Sequence, residues 1–470
     1  MGILNKNRGG EFHLSAQREN QEKNEDSTII IGAGLAGLSC AFELADHGKP
    51  VLILEAAPYV GGRTANWEER GMEVESGFHK FIGYYKELPK LLERAGIDLD
   101  QMLAWETTMQ VRHPDAADYG DFGLDIIHAP LKTLSGVLGN NDFITPGDKA
   151  SLVPFLTAGF KDCVSRPEEL DEISLLDYAK QHGVNEQALE RIVEPLSSGI
   201  FFLPLEQYSA YAFFGLFLPG IPRIHKMRIG AFTGGMTDVM CAPLAAAIEQ
   251  KGGQIRTNAP VTRLLVGANG LEGVELKDGE QIKAKRIVVA ANIRRSQQLL
   301  EEHFSEHEWF QPFLTLEAMP HVTVQFESAL PLLPEDRTTF GPGTDVGSFG
   351  EQSRTTFRGR PGRASIIMVN PDKLIDLPDE EIWHRARKGL AAIGLHEGVS
   401  SVTEYRIVRG NENFYRIAPG NERKRPEQVT PIRGLYLAGD YTKQPMFTTM
   451  EGAVLSGKKA AAGILKEATE

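Results

Sequence analysis

Three kinds of protein are excluded by what this sequence lacks. Its 3 cysteines, Cys40, Cys163 and Cys241, are too few and too widely spaced for a disulfide framework or a four-ligand zinc site, so a reducing compartment is expected. Asp and Glu (63) outnumber Lys and Arg (50), and the net charge of −13 argues against nucleic acid as the main partner, because phosphate binding needs concentrated positive charge. The longest apolar run, residues 211–222, is too short to span a bilayer.

The composition that remains is that of a globular chain. With 470 residues, of which 41% are hydrophobic and 24% are charged, the chain can bury a large core divided among two or three domains. Residues 1–26 contain no apolar segment of the kind found in secretory signals, and we expect a disordered tail there. We therefore expect a cytoplasmic protein, with peripheral attachment to a membrane as the alternative.

The segment from residue 27 to residue 64 predicts a strand, a tight glycine turn, a helix and a second strand. Residues 28–31 and 51–54 are continuous apolar runs, as in strands that are buried on both faces. Between them, apolar residues recur at helical spacing until Gly48 ends the pattern. Residues 252–291 instead contain short alternating runs separated by turn residues, which predict hairpins and a further buried strand.

The glycine turn has the spacing of a dinucleotide-binding site. In the pattern G-x-G-x-x-G the first glycine permits the turn, the second lets the backbone approach a pyrophosphate, and the third lets the helix pack on the strand. Glu55 follows the second strand, where its carboxylate can accept hydrogen bonds from a ribose. The predicted contacts of this turn are Gly32, Gly34, Ala36 and Gly37.

Two further features favour a flavin over a nicotinamide. The first is "GGRT" at 61–64, in which Gly62 precedes an arginine, Arg63, that can reach back to the diphosphate; a surface arginine is the alternative. The second is "GLYLAGD", in which Gly439 and Asp440 follow a buried strand, so that the carboxylate faces the ligand crevice and can hold the ribityl chain; an ordinary helix N-cap is the alternative.

The last predicted helix begins near Met450, and its positive end would favour negative charge on the flavin ring. No second glycine fingerprint follows a strand elsewhere, which favours one FAD and no nicotinamide site. No metal site and no Ser-His-Asp arrangement is recognised among the 12 scattered histidines.

These motifs together resemble the flavin amine-oxidase superfamily and, within it, the plant and cyanobacterial type of phytoene desaturase. "IGAGLAGLSCAFELADHGKPVLILEA" and "GGRT" are similar to the superfamily in general, whereas "ESGFHKFIGYY", "LGNNDFIT" and "LYLAGDYTKQPMFTTMEGAVLSGK" resemble the desaturase branch. The resemblance covers nearly everything after the tail. It implies an α/β fold with a Rossmann-like FAD-binding domain of the two-dinucleotide-binding type and a discontinuous α+β substrate-binding domain.

The resemblance also implies domain boundaries, a reaction and a further contact. The FAD-binding domain would comprise residues 27–105, 225–299 and 406–470, and the substrate-binding domain residues 106–224 and 300–405. The reaction would be removal of a hydride to the flavin and of a proton from a long apolar isoprenoid, with a quinone as the final acceptor. The backbone of Val261 would contact the adenine; the alternative is a plain strand residue.

Lys80 departs from the desaturase pattern, which usually has an apolar residue after His79. If both residues lie in a strand, they point to opposite faces, so that one of them can face the cofactor. Lys80 would then stabilise a reduced flavin or bind a substrate headgroup; the alternative is a solvated lysine at a strand end. Otherwise no catalytic residue is assigned.

Three functions remain open at this stage. The first is the desaturase; the second is oxidation of an amine, or oxidation or isomerisation of a lipid with a headgroup; and the third is a flavoprotein without turnover. The glycine-rich residues 340–365 are expected to form a lid or a surface loop. Residues 211–227 are expected to form core helices or, if Phe213, Phe214 and Phe217 are exposed beside Arg223 and Lys226, a membrane-docking surface.

Overall fold

A parallel five-stranded sheet is assembled from apolar runs in three distant parts of the chain. The computed structural model describes residues 27–116, 119–124, 127–128, 131–133, 136, 139–268, 270–360 and 362–467, so the predicted tail lies outside the described residues. The strands of this sheet are β1 (Thr28–Ile31), β2 (Val51–Leu54), β10 (Gln254–Arg256), β14 (Arg286–Val289) and β20 (Leu435–Leu437), in the order β10-β2-β1-β14-β20. All neighbouring strands in it are parallel.

Helices from both ends of the chain pack together against this sheet. They are α1 (Leu35–Asp46) and α15 (Met450–Glu467), and α10 (Ala242–Gln250) also contacts α1. A Cβ atom added at Gly457 of α15 would lie 2.1 Å from the carbonyl oxygen of Ala36, so the close approach of α15 to α1 requires a glycine there. The segments that contain α1 and α15 are therefore joined in one α/β unit, and the predicted βαβ start at residues 28–54 is confirmed.

The predicted hairpins between residues 252 and 291 are confirmed. Strands β11 (Val261–Gly267), β12 (Gly270–Leu276) and β13 (Gln281–Lys283) form an antiparallel meander. The chain then enters β14 of the parallel sheet.

A seven-stranded mixed sheet forms the second large layer. Its strands are β7 (Thr108–Val111), β8 (Gly120–Gly123), β15 (Ala318–Ser328), β16 (Thr339–Phe340), β17 (Val346–Glu351), β18 (Ala364–Met368) and β19 (Val402–Tyr415), in the order β19-β15-β18-β17-β16-β7-β8. Val322, Val324 and Phe326 of β15 share an apolar core with residues of helix α13 (Asp379–Ala392). The predicted domain boundary at 405/406 falls inside β19.

Shorter strands and helices fill the remaining described parts. The strands are β3 (Asn66–Glu69), β4 (Met72–Glu75), β5 (Phe81–Ile82), β6 (Leu103–Glu106) and β9 (Ile229–Phe232). The helices are α2 (Glu87–Arg94), α3 (Leu99–Met102), α4 (Pro146–Ser165), α5 (Pro167–Asp171), α6 (Leu175–Gln181), α7 (Glu186–Ala188), α8 (Ser198–Phe201), α9 (Ala210–Phe217), α11 (Ile293–Phe304), α12 (Gln311–Leu314) and α14 (His396–Ser400). Across the described ranges, no helix has the length and apolarity needed to cross a bilayer.

The prediction of a lid or surface loop at 340–365 is wrong for residues 346–351, which form β17, whereas residues 358–360 lie in an exposed turn. Every residue of β17, which lies within this range, is buried. A Cβ atom at Gly350 would lie 2.4 Å from the Phe78 ring, and one at Gly347 would lie 2.7 Å from Val369. The glycines in this segment therefore allow close packing inside the seven-stranded sheet, a role that composition alone does not distinguish from that of a loop.

The aromatic segment near residue 214 belongs to the core. Phe213 and Phe214 of α9 are 3% and 0% exposed, and Phe217 is partly buried against Phe213. The condition for membrane docking through these three side chains is therefore not met. The exposed apolar residues nearby are instead Ile221 and Ile224, which follow α9 in a 3-10 segment, Leu218–Lys226.

Candidate functional site

The glycine turn between β1 and α1 has the geometry that its three glycines predict. Gly32 has a φ of +107°, and a Cβ atom there would lie 2.8 Å from the carbonyl oxygen of Ala290. At Gly37 an added Cβ would lie 2.0 Å from the Gly32 oxygen, so the helix could not start so close to the strand. At Gly34 the nearest atoms would be 4.0 Å away, which leaves the backbone open to a ligand. Ala36 is buried in the first turn of α1.

Glu55 is placed directly against this turn. One carboxylate oxygen accepts the backbone N–H of Ala33 at 2.7 Å, and the other accepts that of Ala57 at 2.8 Å. The Glu55 carbonyl accepts the N–H of Ala259, which places the start of β11, with the buried Val261, beside the same edge of the sheet. The Val261 carbonyl accepts a hydrogen bond from Arg295 at 2.6 Å.

The "GGRT" segment lies against the glycine turn. The N–H of Gly61 donates to the Ala33 carbonyl at 2.8 Å, and Gly62, with a φ of +57°, would place an added Cβ 3.2 Å from the Cα atom of Gly34. Left-handed backbone at both glycines turns the chain so that Arg63 follows directly beside the turn.

Arg63 and Asp440 meet although 377 residues separate them in the sequence. The Arg63 guanidinium makes a two-pronged ion pair with the Asp440 carboxylate; one hydrogen bond is 3.0 Å long. Arg63 also lies over the ring of Phe414, 4.5 Å from its centre. The alternative of a surface arginine is therefore wrong. Asp440 is not a helix N-cap either, because α15 begins only at Met450.

Two residues, Gly439 and Thr448, constrain the backbone near the segment that joins Asp440 to α15. Gly439, with a φ of +154°, donates its N–H to the Ser456 hydroxyl at 2.9 Å. Thr448 has a φ of +44°, and within the described residues its buried hydroxyl has no hydrogen-bond partner. A strained residue with an unsatisfied hydroxyl, two positions before Met450, is consistent with a ligand contact at this helix start.

Sequence reasoning missed the role of Glu451, which fastens α15 to α2. Its buried carboxylate accepts the backbone N–H groups of Lys86, Glu87 and Leu88 at 2.7 to 2.9 Å. Three N–H groups at a helix start have no partner within the helix, so this carboxylate caps α2 from a distant segment. No local pattern predicts it, because the donors lie more than 360 residues away.

His79 is half-buried and lies near enough to Arg63 to feel its charge. Burial is the main cause that lowers its pKa to about 4, and the positive charge of Arg63 lowers it further. A second histidine, His321 of β15, was not singled out from the sequence. It is 2% exposed, its ring centre lies 5.3 Å from that of Phe414, and its pKa is lowered to about 4 by burial and by the charges of Arg63 and His79. The alternation in "HVTVQF" places it on one face of a strand.

Lys80 lies just before β5, and its side chain forms a buried ion pair. Its ammonium lies 2.5 Å from a carboxylate oxygen of Glu106 and 4.4 Å from the centre of the Phe78 ring. The other carboxylate oxygen of Glu106 accepts the Thr338 N–H at 2.8 Å. The alternative of a solvated lysine is therefore wrong, because the side chain is 11% exposed and its charge is balanced by Glu106.

A cavity of about 580 Å³ is lined by described residues between Leu176 and Ala392. Its lining includes acidic and basic side chains, so the cavity is not a purely apolar channel. Those groups are Glu194, Glu206, Asp345, Arg385 and Lys388. Asn370 in its wall donates to the carbonyl of Phe202, whose ring contacts Phe414 beside Arg63. In the described part of the chain, no cluster of His, Cys, Asp and Glu could hold a metal ion.

Comparison with known proteins identifies a family and two kinds of relative. The family profile described as flavin containing amine oxidoreductase matches residues 35–465. The 15-cis-phytoene desaturase of Solanum lycopersicum is 29% identical over 455 residues, covering 93% of this chain and 77% of that protein. The zeta-carotene desaturase of Synechocystis is 27% identical over 475 residues, covering 93% and 96%.

Solved structures share the fold. An oxidoreductase from Methanosarcina mazei has a TM-score of 0.71 at 20% identity, covering 94% of this chain and 100% of that one. A wild-type putrescine oxidase bound to putrescine has a TM-score of 0.71 at 17% identity, covering 94% and 99%. At these identities the likeness concerns the fold alone, and it confirms the predicted α/β architecture.

Proposed function

The chain belongs to the flavin-containing amine oxidoreductases, with FAD as its cofactor, and from this premise we propose that it is a desaturase of a long apolar isoprenoid. The meeting of Arg63 and Asp440 beside Gly34 carries the cofactor site, and the similarity to the phytoene and zeta-carotene desaturases carries the choice of substrate. A diphosphate needs positive charge and free amides, and a ribityl chain needs an acceptor, and these groups lie together here.

The residues present fit the cofactor. Gly34 leaves open the space that a Cβ would fill, and Thr448 holds a buried hydroxyl without a partner in the described chain. Glu55 and Val261 would hold the adenosine, Gly32 to Gly37 and Arg63 the diphosphate, and Asp440 and Met450 the flavin end. FAD supplies the hydride acceptor when it is bound. We further propose that residues 27–105, 225–299 and 406–470 form the domain that holds it.

A hydrocarbon substrate offers no group for hydrogen bonding, so it would be positioned by shape and apolar burial. The relatives named as carotenoid desaturases support such a substrate, and the lack of a second glycine fingerprint supports a quinone rather than a nicotinamide as the electron partner. His79 and His321 would stay neutral at pH 7 beside the cofactor and could accept a proton.

The test is anaerobic incubation of the FAD-loaded protein with phytoene dispersed in lipid. We expect the flavin absorbance to bleach and to return when a quinone is added, with one new double bond per cycle. A flavin that stays oxidised with well-dispersed phytoene and with longer polyenes would contradict the proposal.

A second candidate function is oxidation of an amine or of a lipid with a charged headgroup, and the charged cavity favours it. Phe202, beside the cavity wall, makes a ring contact with Phe414, and Arg63 lies over the Phe414 ring. An amine substrate would release hydrogen peroxide with oxygen as the acceptor, whereas a desaturase that uses quinone would not. A peroxide assay over a panel of amines therefore separates the two candidates.

We also propose peripheral membrane contact through exposed apolar residues that flank α9. Val153 and Val164 of α4 are 60% and 68% exposed, and Ile221 and Ile224 are 45% and 58% exposed next to Lys226. Apolar side chains beside a cation suit an anionic lipid surface. Co-sedimentation with anionic vesicles should fall for Ile224→Glu, and equal binding of both proteins would contradict this contact.

A further inference from the structure

Arg425 is a buried cation at the base of the segment that carries Asp440. It is 1% exposed and follows a short 3-10 turn, Glu422–Lys424. One guanidinium nitrogen makes a two-pronged pair with Glu422 at 2.9 and 2.7 Å. The rings of Tyr415 and Phe447 lie 5.2 and 5.1 Å from the guanidinium carbon. A buried charge is tolerated only when it is paired and fully hydrogen-bonded, so these contacts have to be supplied by the surrounding chain.

The remaining donors of Arg425 point at backbone carbonyls of one short segment. A second guanidinium nitrogen donates to the carbonyls of Asp440 (3.1 Å), Thr442 and Gln444 (3.3 Å). The Nε–H donates to the carbonyl of Tyr441 at 3.4 Å. One side chain therefore serves four carbonyls within five residues.

Side chains hold the carbonyls of this segment, in addition to backbone bonds such as those from the Thr442 N–H to Gly439 and from the Lys443 N–H to Pro426. The segment lies between β20 and α15 and belongs to neither element, so its buried carbonyls need partners from side chains. Gln428 donates to the Thr442 hydroxyl and to the Lys443 carbonyl at 2.9 and 2.8 Å. Gln444 donates to the Asp440 carbonyl at 3.1 Å. Arg425 is the donor that reaches the largest number of these carbonyls.

Asp440 is thereby held at both ends by arginines. Arg425 bonds its main-chain carbonyl, and Arg63 bonds its carboxylate. We propose that Arg425 is a positioning residue for FAD, which fixes the backbone of residues 440–444 so that the Asp440 carboxylate faces the cofactor site. This inference rests on the proposed role of Asp440 in holding FAD.

The test is the affinity of the apo-protein for FAD, measured by quenching of flavin fluorescence. Arg425→Lys keeps the positive charge beside Glu422 but has no planar fork that could span four carbonyls. We expect the FAD dissociation constant to rise about tenfold or more, since the loss of even one charged hydrogen bond is about that large. The visible spectrum of bound flavin should also change, because the Asp440 carboxylate is displaced.

Arg406 offers a matched control. It is 6% exposed and also donates to backbone carbonyls, those of Glu69, Arg70 and Tyr405, but in β19 and away from the segment 440–444. Arg406→Lys should lower the melting temperature and leave FAD affinity within about twofold of the parent protein. If Arg425→Lys does not fold, Gln428→Met removes two bonds to the same segment and should show the same loss of affinity.

The outcomes separate this inference from the proposed function. If the parent protein does not bind FAD, the proposed function fails. If the parent protein binds FAD and Asp440→Asn weakens binding, but Arg425→Lys binds as tightly as the parent or loses no more affinity than Arg406→Lys, only the positioning role of Arg425 is overturned.

Discussion

The role assigned to Lys80 changes once its partner in the fold is known. In the sequence it is a cation next to a predicted cofactor site; in the fold, Glu106 balances its charge. Its partner lies 26 positions away, at the end of β6, and no spacing rule connects the two. The motif residues Arg63 and Asp440 could be placed from the sequence because each follows a recognisable strand or turn, whereas ion pairs such as this one depend on tertiary packing.

Removal of this cation should be costly. Lys80→Met leaves the Glu106 carboxylate buried without its counter-charge, and we expect a loss of about 3–5 kcal/mol in the free energy of unfolding, measured by urea denaturation. Lys80→Met/Glu106→Gln should recover most of that loss.

An ion pair with a solvent-exposed lysine provides the control. Lys90 is 54% exposed and lies 3.1 Å from Glu87, so Lys90→Met should cost less than about 1 kcal/mol. If Lys80→Met were as mild as Lys90→Met, the ion pair would not matter to the fold.

Glu75 provides a prediction about pH. Glu75 is 1% exposed, and its pKa is raised from 4.5 to about 8. The main cause is burial, and the negative charge of Glu73 adds to it. Arg363, Gln352 and Lys80 act in the opposite direction and only partly offset the rise. The folded protein therefore holds a proton that the unfolded chain releases near pH 4.5. The stabilisation is complete below that pH and is lost as the pH rises toward 8.

We therefore expect the free energy of unfolding of the parent protein to fall relative to that of Glu75→Gln between pH 6.5 and pH 8.0, by about 1–2 kcal/mol. Urea denaturation at the two pH values measures it. His79 and His321, whose pKa values are lowered, titrate alike in both proteins and cancel in the comparison. Glu68 is an exposed residue of the same hairpin, so the free energy of unfolding of Glu68→Gln should change with pH as that of the parent protein does. If the free energy of unfolding of Glu75→Gln also changed with pH as that of the parent does, the prediction would be contradicted.

Among the elements, those that repeat a strong local pattern could be predicted. The strand–turn–helix–strand start, the meander at 261–283 and the last helix, which begins at Met450, follow from apolar periodicity and turn residues. The error at 340–365 has a physical cause, since glycines that admit Phe78 and Val369 look the same in the sequence as glycines of a loop. Strand β19 extends past the predicted boundary because pairing with β15, and not local composition, sets its length.

Among the contacts between elements, the one that Glu451 makes between α15 and α2 should be the easiest to detect when it is lost. Glu451→Gln keeps the size of the side chain but removes the charge that three backbone N–H groups share. We expect a loss of about 2–3 kcal/mol in the free energy of unfolding and faster hydrogen exchange at the amides of residues 86–88. Glu467→Gln, at the other end of α15, should cost less than about 1 kcal/mol and leave exchange at α2 unchanged. Equal exchange in both variants would contradict the capping role.

At the scale of the whole molecule, the proposed function depends on bringing remote segments to one edge of the parallel sheet. β1 and β2 carry the glycine turn and Glu55, and β20 carries Asp440, so the two halves of the site exist only after the sheet has formed. The sequence could indicate each half through its motif. It could not indicate the supports, Arg425 and Glu451, because their bonds go to backbone groups that any residue supplies.

The most direct measurement is equilibrium binding of FAD to the purified apo-protein, carried out beside Gly34→Val. Gly34 has an extended backbone, and an added Cβ would lie at an ordinary van der Waals distance, 4.0 Å, from the Gly61 oxygen and the Gly62 Cα atom, so the variant should fold with nearly the same melting temperature. Its side chain would occupy the space needed by the diphosphate. We expect the parent protein to bind one FAD per chain and Gly34→Val to bind it at least about tenfold more weakly. A parent protein that stays colourless with excess FAD, or a variant that binds FAD as tightly as the parent, would contradict the central claim.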